Sequence, residues 1–149
     1  MDIQWLGHPA FRIAAEGKNV LVDPYFSGNP TCPPNVEKNL GRINHILVTH
    51  GHGDHLGDRL KLAKEHDAQV VCIAEINAWL QGHGHSNSAS MNIGGTVSAD
   101  GFSFTMVNAL PARRPTNVVV VAMANKTARV VWAMLSRGET FRTEAPATA

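Results

Sequence analysis

The chain has 149 residues, of which 44% are hydrophobic and 17% are charged, and its formal net charge is +1. These values are typical of a globular domain, and they exclude an intrinsically disordered chain and a strongly basic protein that seeks nucleic acid. We therefore expect a single domain over residues 1–149 with no nucleic-acid partner.

We expect neither an export signal nor a membrane span from this sequence. An acidic residue, Asp2, stands where a signal peptide would be basic. The longest apolar run, residues 118–124, is too short to span a bilayer as a helix. Cys32 and Cys72 form no CxxC pair, which favours reduced thiols over a disulfide framework. The sequence therefore predicts a cytoplasmic protein with no membrane partner.

The predicted elements begin with a β-meander. Short strands are expected over residues 2–6, 10–14 and 19–22, with a tight turn at residues 16–18. Residues 43–49 form a mostly apolar run, which predicts a buried strand. Such a strand would carry the polar segment that follows it at its carboxyl end, where functional groups often lie in α/β proteins.

Helices and strands then alternate along the chain, which predicts a mixed α and β class. Residues 58–66 have apolar positions among charged ones, which suits an amphipathic helix. The predicted elements are a helix (58–66), a strand (69–74), a helix (75–81), a polar glycine-rich loop (82–90), a hairpin (96–98 with 102–108) and two further strands (118–123 and 129–135).

Three histidines and one aspartate follow the apolar run within six residues: His50, His52, Asp54 and His55. Histidines two apart on an extended backbone point to the same side, so the first two can reach one metal ion. Gly51 and Gly53 are expected to let the chain turn, so that the other pair faces a second ion. Local capping of a strand is the alternative, but the density of the cluster favours metal. We expect one or two zinc ions, with manganese or iron as alternatives.

Other histidines and acids carry weaker signals. His83 and His85 repeat the HxH spacing, but no carboxylate is near them, which favours surface loop histidines over a metal site. His45 and His66 are interpreted as structural or exposed residues. Asp58 is expected to cap the helix that follows it rather than to act in catalysis.

The HxHxDH motif resembles that of the metallo-beta-lactamase superfamily. The resemblance is closer to a branch of small metal-dependent hydrolases that includes ascorbate-6-phosphate lactonase-like proteins. It rests on residues 5–8, 19–24, 46–58 and 91–95, and it covers residues 1 to about 110. It implies an αββα sandwich of two αβ halves, of which this chain contains the first half, followed by a divergent tail over residues 111–149.

The resemblance also implies roles for single residues. His50 and His52 would bind one metal ion, and Asp54 and His55 the other. Asp54 would in addition be catalytic, because it would orient the attacking hydroxide. Two further residues are placed near the site by the resemblance, His8 and Asp23. For His8 a turn-capping role is the alternative, and for Asp23 a plain strand-terminating role.

The second half of the family's ligand set has no counterpart in the sequence. Family members add a histidine after the hairpin and then an aspartate and a last histidine, whereas this chain has Ala109, Leu110 and Pro111 at the first of these positions. No histidine follows His85 and no aspartate follows Asp100. A truncated, frameshifted or divergent gene would each account for this. Ions in such an incomplete set of ligands would be held more loosely.

The leading hypothesis is a metal-dependent hydrolase, in which a metal-bound hydroxide attacks an ester, lactone or phosphoester bond of a small-molecule substrate. The alternative is a catalytically inactive, truncated remnant that still binds metal. A remnant of this kind could form a homo-oligomer to complete its half-sandwich. A third hypothesis is a flawed gene product without a stable fold.

Overall fold

The structure is a computed structural model and describes residues 1–106. The chain divides into two compact units, Met1–Asn92 and Ile93–Ala149. The strands predicted over residues 118–123 and 129–135 lie outside the described residues, as does the position after the hairpin where the family carries a further histidine.

The first unit contains one mixed sheet with its helices. Strands β1 to β3 run antiparallel to their neighbours, whereas β3 to β6 are parallel. The six strands lie side by side in chain order. This confirms the predicted mixed class and the opening meander. The elements are β1 (Asp2–Trp5), β2 (Phe11–Ala15), β3 (Lys18–Val22), α1 (Val36–Asn39), β4 (His45–Leu47), α2 (Gly53–Leu56), α3 (Arg59–His66), β5 (Gln69–Cys72), α4 (Ala74–Gly82) and β6 (Ser88–Ser90).

A hydrophobic core joins one face of the sheet to the helices. Leu21, Ile46 and Val70 are registered side by side on β3, β4 and β5 and are fully buried. They belong to one cluster with Leu62 of α3 and Leu80 of α4. Burial of each such side chain contributes roughly 1.5–3 kcal/mol. This core fixes the parallel strands, and with them the edge at which their carboxyl ends meet.

Four elements of the first unit differ from the predictions. Residues 82–90 were expected to be loop throughout, but β6 pairs with β5 there, Ala89 lying opposite Val71. The strand expected over 69–74 ends at Cys72, because α4 begins at Ala74. Helices α1 and α2 were not predicted. Each has four residues, which is too few to show the hydrophobic periodicity of a helix.

The described part of the second unit is an antiparallel hairpin of β7 (Thr96–Ala99) and β8 (Phe102–Thr105). Asp100 and Gly101 form its turn, and both have positive φ angles, 50° and 84°. Two consecutive positive φ angles are the requirement of a type I′ turn, whose twist matches that of the strands. The hairpin lies where the sequence predicts it, and β8 ends earlier than expected. Within residues 1–106 no helix is long and apolar enough to cross a membrane.

Candidate metal centre

The candidate ligands lie in the first unit, beyond the carboxyl ends of β3 and β4. The two strands are parallel, so the residues that follow them emerge at the same edge of the sheet. Asp23 follows β3 directly, and its backbone N–H donates to the carbonyl of Leu47 at the end of β4 (2.9 Å). The segment from Val48 to His52 then leads from β4 into α2.

Asp23 is a buried carboxylate that joins the two segments. Only 3% of it is exposed. Its Oδ1 accepts from the Thr49 backbone N–H (2.8 Å) and its Oδ2 from the Thr49 hydroxyl (2.7 Å) and from Nδ1 of His55 (2.9 Å). Because a carboxylate only accepts, His55 must carry its proton on Nδ1. In the neutral ring the lone pair then lies on Nε2, the atom left for a metal ion.

Thr49 fixes the position of the ring proton of His50, a role that the sequence does not predict. Its hydroxyl proton is donated to Asp23, so Nδ1 of His50, 2.9 Å from that oxygen, must be the donor of the second bond. The lone pair of neutral His50 therefore lies on Nε2. Burial, with a contribution from the nearby His55, also lowers the pKa of His50, which keeps the ring neutral at pH 7.

His50 and His52 face each other through the nitrogens that would bind a metal. Nε2 of His50 lies 3.0 Å from Nδ1 of His52. The strand β4 ends at Leu47, two residues earlier than predicted, so both histidines lie beyond it. The backbone of His52 is nevertheless extended (ψ 148°), which brings its ring beside that of His50.

Asp54 and His55 are presented by helix α2, which begins at Gly53. The glycines do not act as predicted: neither Gly51 nor Gly53 has a positive φ angle. No atom lies within 4 Å of the position that a Cβ would take at either residue. The first turn of α2, rather than glycine's conformational freedom, redirects the chain toward Asp54 and His55.

Asp54 lies between two imidazoles. Its Oδ2 is 2.8 Å from Nε2 of His8 and 4.0 Å from Nε2 of His55. The hydrogen bond from His8 is the main cause that lowers the pKa of Asp54, so the carboxylate is ionised at neutral pH. The ligand atoms of these three side chains all lie within 4.8 Å of one another.

The loop after Asp23 is hydrogen-bonded to Asp58, which lies between α2 and α3. Asp58 was expected to cap α3, but its side chain makes no capping hydrogen bond. Its carboxylate instead accepts from the backbone N–H groups of Phe26 and Ser27 (both 2.8 Å) and from the Ser27 hydroxyl (2.6 Å). Burial alone would raise the pKa of Asp58, but the hydrogen bonds from Ser27 and Phe26 outweigh it and lower the pKa.

The remaining histidines lie apart from this centre. Nδ1 of His83 contacts the carbonyl of Trp79, on whose ring His83 stacks. His85 was predicted to lie at the surface, which is wrong: it is 5% exposed, and its Nε2 contacts the carbonyl oxygens of Ala68 and Asn87. His45 is buried, which excludes the exposed alternative.

Comparison with known sequences decides the family. The sequence model of the metallo-beta-lactamase superfamily matches residues 3–138. The chain belongs to this superfamily. The match confirms the resemblance that the HxHxDH motif indicates.

Curated relatives within the superfamily are named metal-dependent hydrolases. The chain is 46% identical over 111 residues to a UPF0173 metal-dependent hydrolase of Koribacter versatilis, a match that covers 74% of this chain and 47% of that protein. It is 47% identical over 112 residues to another from Methanopyrus kandleri, covering 73% and 46%. The chain thus spans about half the length of the curated relatives it matches.

Two solved structures are similar in fold to this chain. Igni18, described as a novel metallo hydrolase from Ignicoccus hospitalis, is 29% identical with a TM-score of 0.65 over 72% of this chain and 48% of that chain. CmlA, a diiron beta-hydroxylase from Streptomyces venezuelae, shares the fold at 23% identity and a TM-score of 0.59, over 72% of this chain and 24% of that one. The chain therefore shares its fold with a part of each of these proteins.

Proposed function

We propose that the chain carries metal-binding residues of a hydrolase that cleaves an ester, lactone or phosphoester bond of a small molecule. The observation that carries the proposal is the convergence of His50, His52, Asp54 and His55 at one edge of the sheet. The names of the relatives support hydrolysis as the reaction class.

The donor set fits divalent transition metals. Imidazole nitrogen with carboxylate oxygen is a mixture that zinc prefers, and manganese and iron accept it as well. His50 and His52 would hold one ion, and Asp54 and His55 the other. Ions in such a site supply Lewis acidity, which polarises a carbonyl or phosphoryl oxygen and makes water more acidic.

The protein residues orient the reactants and supply charge. Asp54 is the proposed catalytic residue, because its ionised carboxylate can accept a hydrogen bond from an attacking water or hydroxide and orient it. Asp23 and Thr49 support the ligands: they fix the protons of His55 and His50 on Nδ1, so that both Nε2 atoms stay available.

A second candidate function is an inactive metal-binding remnant that assembles with a second copy of the chain. The observation in its favour is that no histidine follows His85 and no aspartate follows Asp100 in the sequence. The remnant would bind metal through the same four side chains without turnover.

Metal content and turnover test the two candidates together. The purified chain is loaded with zinc or manganese, analysed for bound metal, and assayed with a chromogenic phosphodiester and a simple lactone. We expect about two equivalents of metal, with turnover abolished in His52→Ala and Asp54→Ala and retained in His83→Ala, whose ring lies against Trp79. Turnover that survives both substitutions would refute the hydrolase. Bound metal without turnover would favour the remnant.

A further inference from the structure

The loop between β1 and β2 brings one more imidazole to the candidate metal centre. His8 lies 46 residues before Asp54 in the sequence, yet its Nε2 is 2.8 Å from Oδ2 of Asp54. The ring of His8 also meets that of His55 edge-on, at 5.9 Å between centroids. His8 therefore belongs to the same local group as two of the proposed ligands.

We propose that His8 is a direct ligand of the ion held by Asp54 and His55, an inference that rests on the function proposed above. Two imidazole nitrogens and one carboxylate oxygen make a three-ligand set, which in zinc enzymes leaves a fourth position for water or substrate. With His8 included, each of the two ions has at least two imidazole or carboxylate ligands from the described residues, and the second has three.

The separations between the ligand atoms fit this assignment. Ligands about 2.05 Å from a tetrahedral ion lie roughly 3.3 Å from one another. The distances from Oδ2 of Asp54 to His8 (2.8 Å) and to His55 (4.0 Å) lie on either side of that value. A shift of about half an ångström in each side chain would bring the three atoms to ligand spacing.

The backbone around His8 is built to hold the ring in place. His8 has a φ of 31°, in the left-handed region that few non-glycine residues adopt. Its N–H donates to the Thr31 hydroxyl (2.9 Å) and its carbonyl accepts from Nε1 of Trp5 (3.1 Å). A Cβ on Gly7 would lie 2.4 Å from the Thr31 carbonyl oxygen, so only glycine allows this approach. Strain of this kind is concentrated at functional sites.

A purely structural contact between His8 and Asp54 does not account for this strain. The side chains of His8 and Asp54 are 54% and 45% exposed. Even a charged pair at this exposure contributes little to stability, because water screens it and both side chains lose freedom. The same exposure leaves the pair open to an ion from solvent.

Cobalt-loaded protein provides the test. Each histidine bound to Co²⁺ gives a strongly shifted ring N–H signal in the proton NMR spectrum, so the number of signals counts the coordinated rings. We compare the full chain with His8→Asn, since asparagine tolerates the left-handed backbone, and with His83→Asn as the matched control. In His8→Asn we expect one signal fewer and a more than roughly 100-fold weaker affinity for the second ion, beyond the 10–100-fold cost of losing an outer hydrogen bond. His83→Asn should keep the wild-type spectrum.

The outcomes separate this inference from the proposed function. If His8→Asn keeps every shifted signal, His8 only orients Asp54 and the inference is overturned, while the metal site itself stands. Wild-type protein that takes up no Co²⁺ would overturn both. Circular dichroism checks that His8→Asn is folded; should it unfold, His8→Gln gives the same count, with loss of one signal supporting the inference and an unchanged count refuting it.

Discussion

Asp23 orients two of the proposed ligands, His55 directly and His50 through Thr49. Its replacement by asparagine tests whether these hydrogen bonds support metal binding. The amide cannot accept three hydrogen bonds as the carboxylate does, and its NH₂ group would face donors from Thr49 and His55. We expect Asp23→Asn to weaken metal affinity by roughly 10–100-fold and to lower the free energy of unfolding by about 1–3 kcal/mol. Calorimetric metal titration and a metal-free denaturant melt measure the two effects.

A matched control for this substitution exists in the same unit. Asp67 also has a left-handed backbone, with a φ of 51° against 45° for Asp23, but it is exposed at the end of α3. Asp67→Asn should therefore leave both quantities unchanged. An equal loss in the two variants would show that the effect comes from the backbone and not from the hydrogen bonds of Asp23.

Single site residues could be predicted where the candidate metal ligands lie close together in the sequence. His50, His52, Asp54 and His55 stand within six residues, so their spacing alone indicates metal chemistry. Thr49 gives no such signal, because a threonine at a strand end is ordinary and its partner Asp23 lies 26 residues away. Asp58 was assigned to the wrong role for a related reason. An aspartate before a helix is a typical N-cap, and only the fold reveals that Ser27 and Phe26 compete for it.

At the scale of elements, Gly57 holds the end of α2 against the loop that follows Asp23. A Cβ at this position would lie 2.2 Å from the carbonyl oxygen of Pro24, and the φ of 40° is unfavourable for other residues. We expect Gly57→Ala to destabilise the fold by roughly 1–3 kcal/mol through this clash and to weaken metal binding, because Asp54 and His55 lie on α2. Denaturant unfolding and metal titration measure both changes.

Gly82 provides the comparison for this prediction. It lies at the end of α4, where no atom is within 4 Å of the position that a Cβ would take and φ is not positive. Gly82→Ala should be neutral or slightly stabilising, since alanine favours the helix. If Gly57→Ala is equally harmless, the close approach of Pro24 does not constrain α2.

Elements were predictable where an apolar pattern marks them. The strands β1 to β5 and the helices α3 and α4 all carry such patterns and lie close to their predicted positions. The three residues of β6, Ser-Ala-Ser, have none, and their strand conformation depends on hydrogen bonding to β5. Local sequence cannot report a pairing that depends on another strand.

At the scale of the whole molecule, the proposed site depends on one unit of the chain. The candidate ligands and the groups that support them all fall within Met1–Asn92. The hydrophobic cluster that positions β3 and β4 also lies within this range. Metal binding at the site should therefore be coupled to the folding of this unit.

The buried thiol of Cys72 can report that coupling. Cys72 is fully buried, and burial raises its pKa to about 11, so it is neither accessible nor ionised in folded protein at pH 8. Alkylation of Cys72 by iodoacetamide should then require unfolding, whereas the partly exposed Cys32 has no such barrier.

An ion present at 100 times its dissociation constant stabilises the folded state by about 2.7 kcal/mol. We expect that ion to slow the labelling of Cys72 roughly 100-fold, as followed by mass spectrometry of the peptides. His52→Ala should lose most of this protection, and equal labelling of Cys72 with and without metal would show that the site is not coupled to folding.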